Sequence, residues 1–114
     1  MIDERQLARD AIRLLEDRKG ENVVVIDLSD VTIPTSYFVI VEADNTAHAK
    51  ALMNALREGL PMKPNQSEGV AERKWMVLDY GDIVVHIFDK EARGFYDIES
   101  LWADHIVPVE AIRG

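Results

Sequence analysis

The chain has 114 residues, and its 13 Lys+Arg against 21 Asp+Glu give a formal net charge of −8. That length supports one domain with a core of its own, residues 1–114 together, and the 47% apolar, 30% charged composition excludes a disordered or fibrous chain. The absence of cysteine excludes disulfides, thiolate metal sites and cysteine nucleophiles, and no apolar run approaches the ~20 residues of a membrane span or the core of a signal peptide, so a cytoplasmic location is expected.

Residues 3 to 19 place Leu7, Ala8, Ala11, Ile12 and Leu15 on one helical face, and Gly20 follows as a stop. Val23 to Leu28 is β-branched and nearly continuous, as expected of a strand interior to a sheet. The turn-rich stretch Ser29 to Thr35 leads into a second such strand, Ser36 to Val41. Asp44, Asn45 and Thr46 are competent caps for a helix over Ala47 to Leu60, with Ala51, Leu52, Ala55 and Leu56 as its apolar positions. Pro61 to Gly69 reads as a mobile connection.

Lys74 to Leu78 and Ile83 to Phe88 flank Asp79-Tyr80-Gly81-Asp82, the strongest hairpin signal in the chain. Because tyrosine tolerates positive φ poorly, a three-residue loop with Gly81 left-handed is expected rather than a two-residue loop centred on Tyr80-Gly81. That register puts Trp75, Val77, Ile83, Val85 and Ile87 on one face and Met76, Leu78, Val84, His86 and Phe88 on the other. Both faces are apolar, so the hairpin needs cover twice. Either helices of the same chain pack on both faces, or part of the second face, with an aromatic anchor, is buried against another molecule. A last helix over Gly94 to Trp102 carries Tyr96 and Trp102, and Ile106 to Val109 forms an edge strand or lies on the surface. The order α-β-β-α-β-β-α predicts an α/β fold, a mixed sheet of four or more strands with flanking helices.

Chemistry-bearing residues are sparse. Asp27, Asp30, Asp79 and Asp82 sit at strand ends, where turns recruit aspartate more often than metals do. His48, His86 and His105 lack ligand spacing, and His86, inside an apolar strand, reads as a hydrogen-bonded packing residue. Ser29, His86 and Asp79 make a triad only by free choice among common residues, and no phosphate-binding glycine motif occurs. Glu72, Arg73 and Lys74 read as a solvated cluster ahead of the Trp75 strand. The acidic charge predicts little or no direct nucleic-acid binding and favours a basic protein partner.

The run Trp75 to Phe88, followed by Arg93-Gly94-Phe95-Tyr96-Asp97-Ile98-Glu99-Ser100-Leu101-Trp102, resembles the ribosomal silencing factor (Iojap) family. Asp27-Leu28-Ser29, Ser36 to Ile40 and Glu68-Gly69 are similar to that family too, so the likeness covers nearly the whole chain up to Trp102 and leaves out the tail from Asp104. The resemblance implies a fold similar to that of nucleotidyltransferases without their catalytic residues. The Gly-Ser turn and aspartate pair of those enzymes are missing, so neither a cofactor nor a metal is expected. It further implies a translation repressor, acting when nutrients are short. Such a repressor binds the large ribosomal subunit through its fourteenth protein, sterically blocks joining of the small subunit, and can self-associate as a homodimer when free. The positions matching the partner-facing motif are Trp75, Leu78, Asp79, Tyr80, Gly81 and Asp82, with His86 nearby. Two rival expectations are a metal-dependent nucleotidyltransferase using Asp27, Asp79 or Asp82, and a dimeric scaffold with no ribosomal role.

Overall fold

In the computed structural model, which describes residues 3–70 and 74–113, helix α1 runs Glu4–Asp17 and buries the expected stripe Leu7, Ala8, Ala11, Ile12 and Leu15. The Asp3 side chain accepts the Gln6 N–H at 3.0 Å and caps it. At its other end Lys19 donates to the Glu16 carbonyl and Gly20 to the Leu15 carbonyl, the paired bonds of a Schellman end. The left-handed residue there is Lys19 (φ +63) and not Gly20. Gly20 serves close approach instead, because a Cβ on it would sit 2.6 Å from Val41 Cγ2.

Six strands follow in one sheet: β1 (Glu21–Asp27), β2 (Tyr37–Ala43), β3 (Gln66–Val70), β4 (Trp75–Asp79), β5 (Ile83–Asp89) and β6 (Ile106–Val107), in the order β3-β4-β5-β2-β1-β6. The sheet is mixed, as predicted: β2 and β5 run parallel at its centre, and every other pair is antiparallel. Helix α2 (Thr46–Gly59) leaves β2, capped by the Asn45 side chain, which accepts the His48 N–H at 2.8 Å. Its buried positions are Ala49, Leu52, Ala55 and Leu56, while Ala51, expected on that face, is exposed.

Three further expectations need correction. Residues 66–70 are not part of a connection but an edge strand, whose Gln-Ser-Glu-Gly-Val sequence lacks the apolar alternation of a half-buried strand. The last helix starts earlier and breaks in two: α3 (Lys90–Tyr96) is capped by Asp89, which accepts the Ala92 N–H at 2.7 Å, and α4 (Ile98–Leu101) begins after Asp97 turns left-handed at φ +42. The tail adds both a strand, β6 against β1, and a helix, α5 (Val109–Arg113), whose Ile112 is buried beside α1. Arg5 and Arg9 hold that tail, donating to the carbonyls of Ala111 and Ile112.

The sheet is covered on both faces by the chain's own helices. On one side α1, α2 and α5 seal Val25, Val39, Val41, Leu78, Val85 and Ile87. On the other, Ala92 of α3, Ile98 of α4 and Trp102 pack over Ile26, Leu28, Ile40 and Phe88. The first cover is complete. The second is partial, and leaves Phe38, Trp75 and Val77 half-buried. Among the described residues no helix is long and apolar enough to cross a membrane.

Candidate functional site

The β4–β5 hairpin pairs Trp75 with Phe88 and Asp79 with Val84. Its loop is the two residues Gly81-Asp82, closed by the Tyr80 N–H donating to the Ile83 carbonyl at 2.9 Å. Gly81 takes φ +86, and the Asp82 N–H bonds back to the Tyr80 carbonyl at 3.2 Å, a γ-turn that glycine accommodates. The left-handed glycine is the predicted one, but the loop is one residue shorter than predicted. Tyr80 stays at ordinary φ because Gly81, not Tyr80, opens the loop. A slip of one residue exchanges faces, so Trp75 and Val77 lie with Val84, His86 and Phe88, and Met76 and Leu78 lie with Val85 and Ile87. Both faces remain apolar.

The corrected register makes an aromatic site. Trp75 stacks on Phe88 with ring centroids 5.0 Å apart and meets Tyr96 of α3 at 4.8 Å. Its indole N–H donates to His86 Nδ1 at 3.1 Å. An indole nitrogen can only donate, so His86 is held neutral with its proton on Nε2. His86 is only 6% exposed, burial pushes its pKa down to about 4, and Nε2 has no hydrogen-bond partner. Phe38 packs edge-on to His86 at 4.7 Å and to Trp102 at 6.4 Å. His86 is thus a hydrogen-bonded packing residue, as expected, and its role is to orient Trp75.

The remaining positions that match the partner-facing motif divide. Asp79 and Gly81 are half-buried and Asp82 is exposed. Asp79 Oδ1 accepts the Gly81 N–H at 2.8 Å and holds the turn, while the Asp82 carbonyl accepts the N–H groups of Ser36 and Tyr37 and ties the loop to β2. Leu78 and Tyr80 lie on the opposite, sealed face: Leu78 is fully buried, and burial pushes the Tyr80 phenol up to about 12. They brace the hairpin from behind. Trp75 stands at the strand end away from the loop, four strand steps or about 13 Å from Asp79, so anchor and tip are separate patches.

Sequence reasoning missed the device that places α3. Arg93 donates from Nε to Glu99 Oε1 at 2.8 Å and from Nη2 to Oε2 at 3.3 Å, and its Nη1 lies 3.6 Å from Glu42 Oε1. The Arg93 and Glu42 side chains are only 11% and 12% exposed, so these charges are largely desolvated. The network joins β2, α3 and α4 and seats Tyr96 over Trp75. The one clue in the sequence is a carboxylate, Glu42, set between Val41 and Ala43 in an otherwise apolar strand.

Two of the strand-end aspartates, Asp27 and Asp79, bond turn amides with their side chains. Asp27 Oδ1 accepts the Ser29 N–H at 2.9 Å and its hydroxyl at 2.6 Å, and Asp30 stands 3.8 Å from His105 Nε2. Among the described residues no group of three or more His, Asp or Glu could hold a metal ion. Lys74 is exposed; Glu72 and Arg73 lie outside the described residues.

Against known proteins, residues 2–113 match the family described as "Ribosomal silencing factor during starvation". The chain belongs to the ribosomal silencing factor family. The family's member from Chromobacterium violaceum, Ribosomal silencing factor RsfS, is 33% identical over 101 residues, spanning 86% of this chain and 83% of its own. A crystal structure of a C. violaceum protein superposes with a TM-score of 0.84 at 31% identity, covering 90% of this chain and 88% of that one. The mouse protein "Mitochondrial assembly of ribosomal large subunit protein 1" is 28% identical over 97 residues, 80% of this chain and 42% of the mouse protein.

Proposed function

We propose that this chain is a non-enzymatic translation repressor of the cytoplasm that docks on the large ribosomal subunit and obstructs joining of the small subunit. Family membership supports a ribosomal target, and the name of the mouse relative points to the large subunit. The observation that carries the docking site is Trp75: a half-buried indole, its N–H satisfied by His86 and its ring gripped by Phe88 and Tyr96, at the only partly covered face of the sheet. A rigid aromatic in that setting is the residue type on which interface energy concentrates.

The partner is a basic protein of the subunit, its fourteenth, rather than ribosomal RNA. A surface of net charge −8 attracts lysine and arginine and repels phosphate. Asp82, exposed at the loop, steers the encounter, while Leu78, Tyr80 and His86 act from beneath the surface by fixing the strand. Association needs no turnover and no cofactor, and a free chain self-associates.

Co-sedimentation with purified large subunits tests this. Trp75→Ala, with its fold checked by circular dichroism, is expected to weaken binding by about 2 kcal/mol or more, and Asp82→Lys to slow association and reduce its salt dependence. Unchanged sedimentation of folded Trp75→Ala would refute the anchor. Divalent-dependent nucleotide binding in equilibrium dialysis would favour the enzymatic rival instead.

A further inference from the structure

The aromatic row around Trp75 extends beyond what the fold requires. Tyr96 lies on Trp75, and Phe95 packs edge-on to Tyr96 with centroids 5.0 Å apart, yet Phe95 is 80% exposed. Leu101, on the next helix, is 76% exposed. Side chains this open contribute little to folding and lower solubility, and two of them on the consecutive helices α3 and α4, the first extending the Trp75–Tyr96 row, point to a partner. The corner is held rigidly: Asp89 caps α3, and Arg93 clamps it to Glu42 of β2 and Glu99 of α4. A pre-organised apolar corner binds without a further ordering cost.

Its charge selects the occupant. Arg93 is already matched by Glu42 and Glu99, and among the described residues the exposed charges around the corner are the carboxylates of Glu91, Asp97 and Asp104 against the ammonium groups of Lys90 and of Lys74, whose carbonyl accepts the Asp89 N–H at the start of α3. A second copy of this acidic chain would set like charges against like, whereas a basic surface with an apolar recess would find both terms favourable. We propose that the α3–α4 corner is the second half of the docking surface, with Phe95 and Leu101 seated in an apolar recess of the same basic ribosomal protein that Trp75 engages. This rests on the reading of Trp75 as the anchor.

The test is affinity for purified large subunits in Phe95→Ser and Leu101→Ser, with Trp75→Ala and the opposite-edge variant Ile106→Thr alongside, melting temperatures being measured for all four. Phe95→Ser is expected to lose about 10-fold or more in affinity, and Leu101→Ser a smaller factor, with melting temperatures unchanged and Ile106→Thr binding like the parent. Normal binding by Phe95→Ser with loss by Trp75→Ala overturns the second contact and leaves the anchor standing; normal binding by both overturns both. Loss matched by a lowered melting temperature assigns Phe95 to the fold and overturns the proposal. So does conversion of a dimer to a monomer with ribosome binding intact, which would place a second copy on the corner.

Discussion

The indole N–H of Trp75 donates to Nδ1 of His86 across 3.1 Å, joining strands β4 and β5 on the aromatic face. The bond requires neutral histidine, and burial lowers the His86 pKa from 6.5 to about 4. The unfolded chain takes up the proton as pH falls through 6.5 and the folded chain only near 4, so stability is complete above 6.5 and is lost as pH falls across that window. The loss should reach roughly 3 kcal/mol by pH 4. Urea unfolding from pH 7 to pH 4.5 checks it: His86→Gln should show a flatter profile, and parallel profiles would refute the assignment.

Trp75→Phe keeps a ring between Phe88 and Tyr96 but removes the donor to His86 Nδ1. The histidine then carries a second buried nitrogen without a partner. The variant should be destabilised by about 1–2 kcal/mol at pH 7, measured as a shift in the urea midpoint with unchanged slope.

Arg93→Met leaves Glu42 and Glu99 facing each other's charge in a largely desolvated site. Breaking such a network from one side should cost about 3–5 kcal/mol. Arg93→Lys should recover only part of it, because an ammonium cannot reproduce the forked contact to Glu99. Arg93→Met combined with Glu42→Gln should be more stable than Arg93→Met alone, and a double-mutant cycle measures the coupling.

Two glycines should respond in opposite directions. Gly81→Ala forces a side chain into φ +86 and should cost about 1–2 kcal/mol. Gly94→Ala, inside α3 with nothing within 4 Å of the added Cβ, should stabilise by up to about 1 kcal/mol. Thermal melts of the two variants against the parent decide both.

Ile112 is buried against the α1 side of the core although it lies in the last helix. Ile112→Ala should destabilise by about 2–4 kcal/mol, and the effect should be read in the same urea titration.

The periodic elements were legible: α1 from its stripe at Leu7 to Leu15, β1, β2 and β5 from their β-branched runs, and the Gly81 turn from glycine's tolerance of positive φ. What escaped was set by contacts distant in sequence. β3 owes its extended form to β4, whose N–H and carbonyl groups it pairs, and its own residues carry no alternation. The hairpin register turned on whether Tyr80 joins the loop or closes it, a difference of one residue that decides whether Trp75 and His86 share a face. Trp75 and His86 were therefore both named from the sequence, while their hydrogen bond was not. Arg93, Glu42 and Glu99 meet only once β2 lies beneath α3, so no local pattern announces them.

The parallel pairing of β2 with β5 also governs when this protein can exist. Tyr37 finds its neighbour Ile83 more than forty residues downstream, whereas every adjoining antiparallel pair on the β3 side closes locally. Closing so long a loop costs more chain entropy than closing the local hairpins, and until it closes β1–β2 and β3–β4–β5 are two unjoined halves of the sheet. A nascent chain that has not yet delivered residues 83–89 therefore lacks the parallel pair at the centre of its sheet.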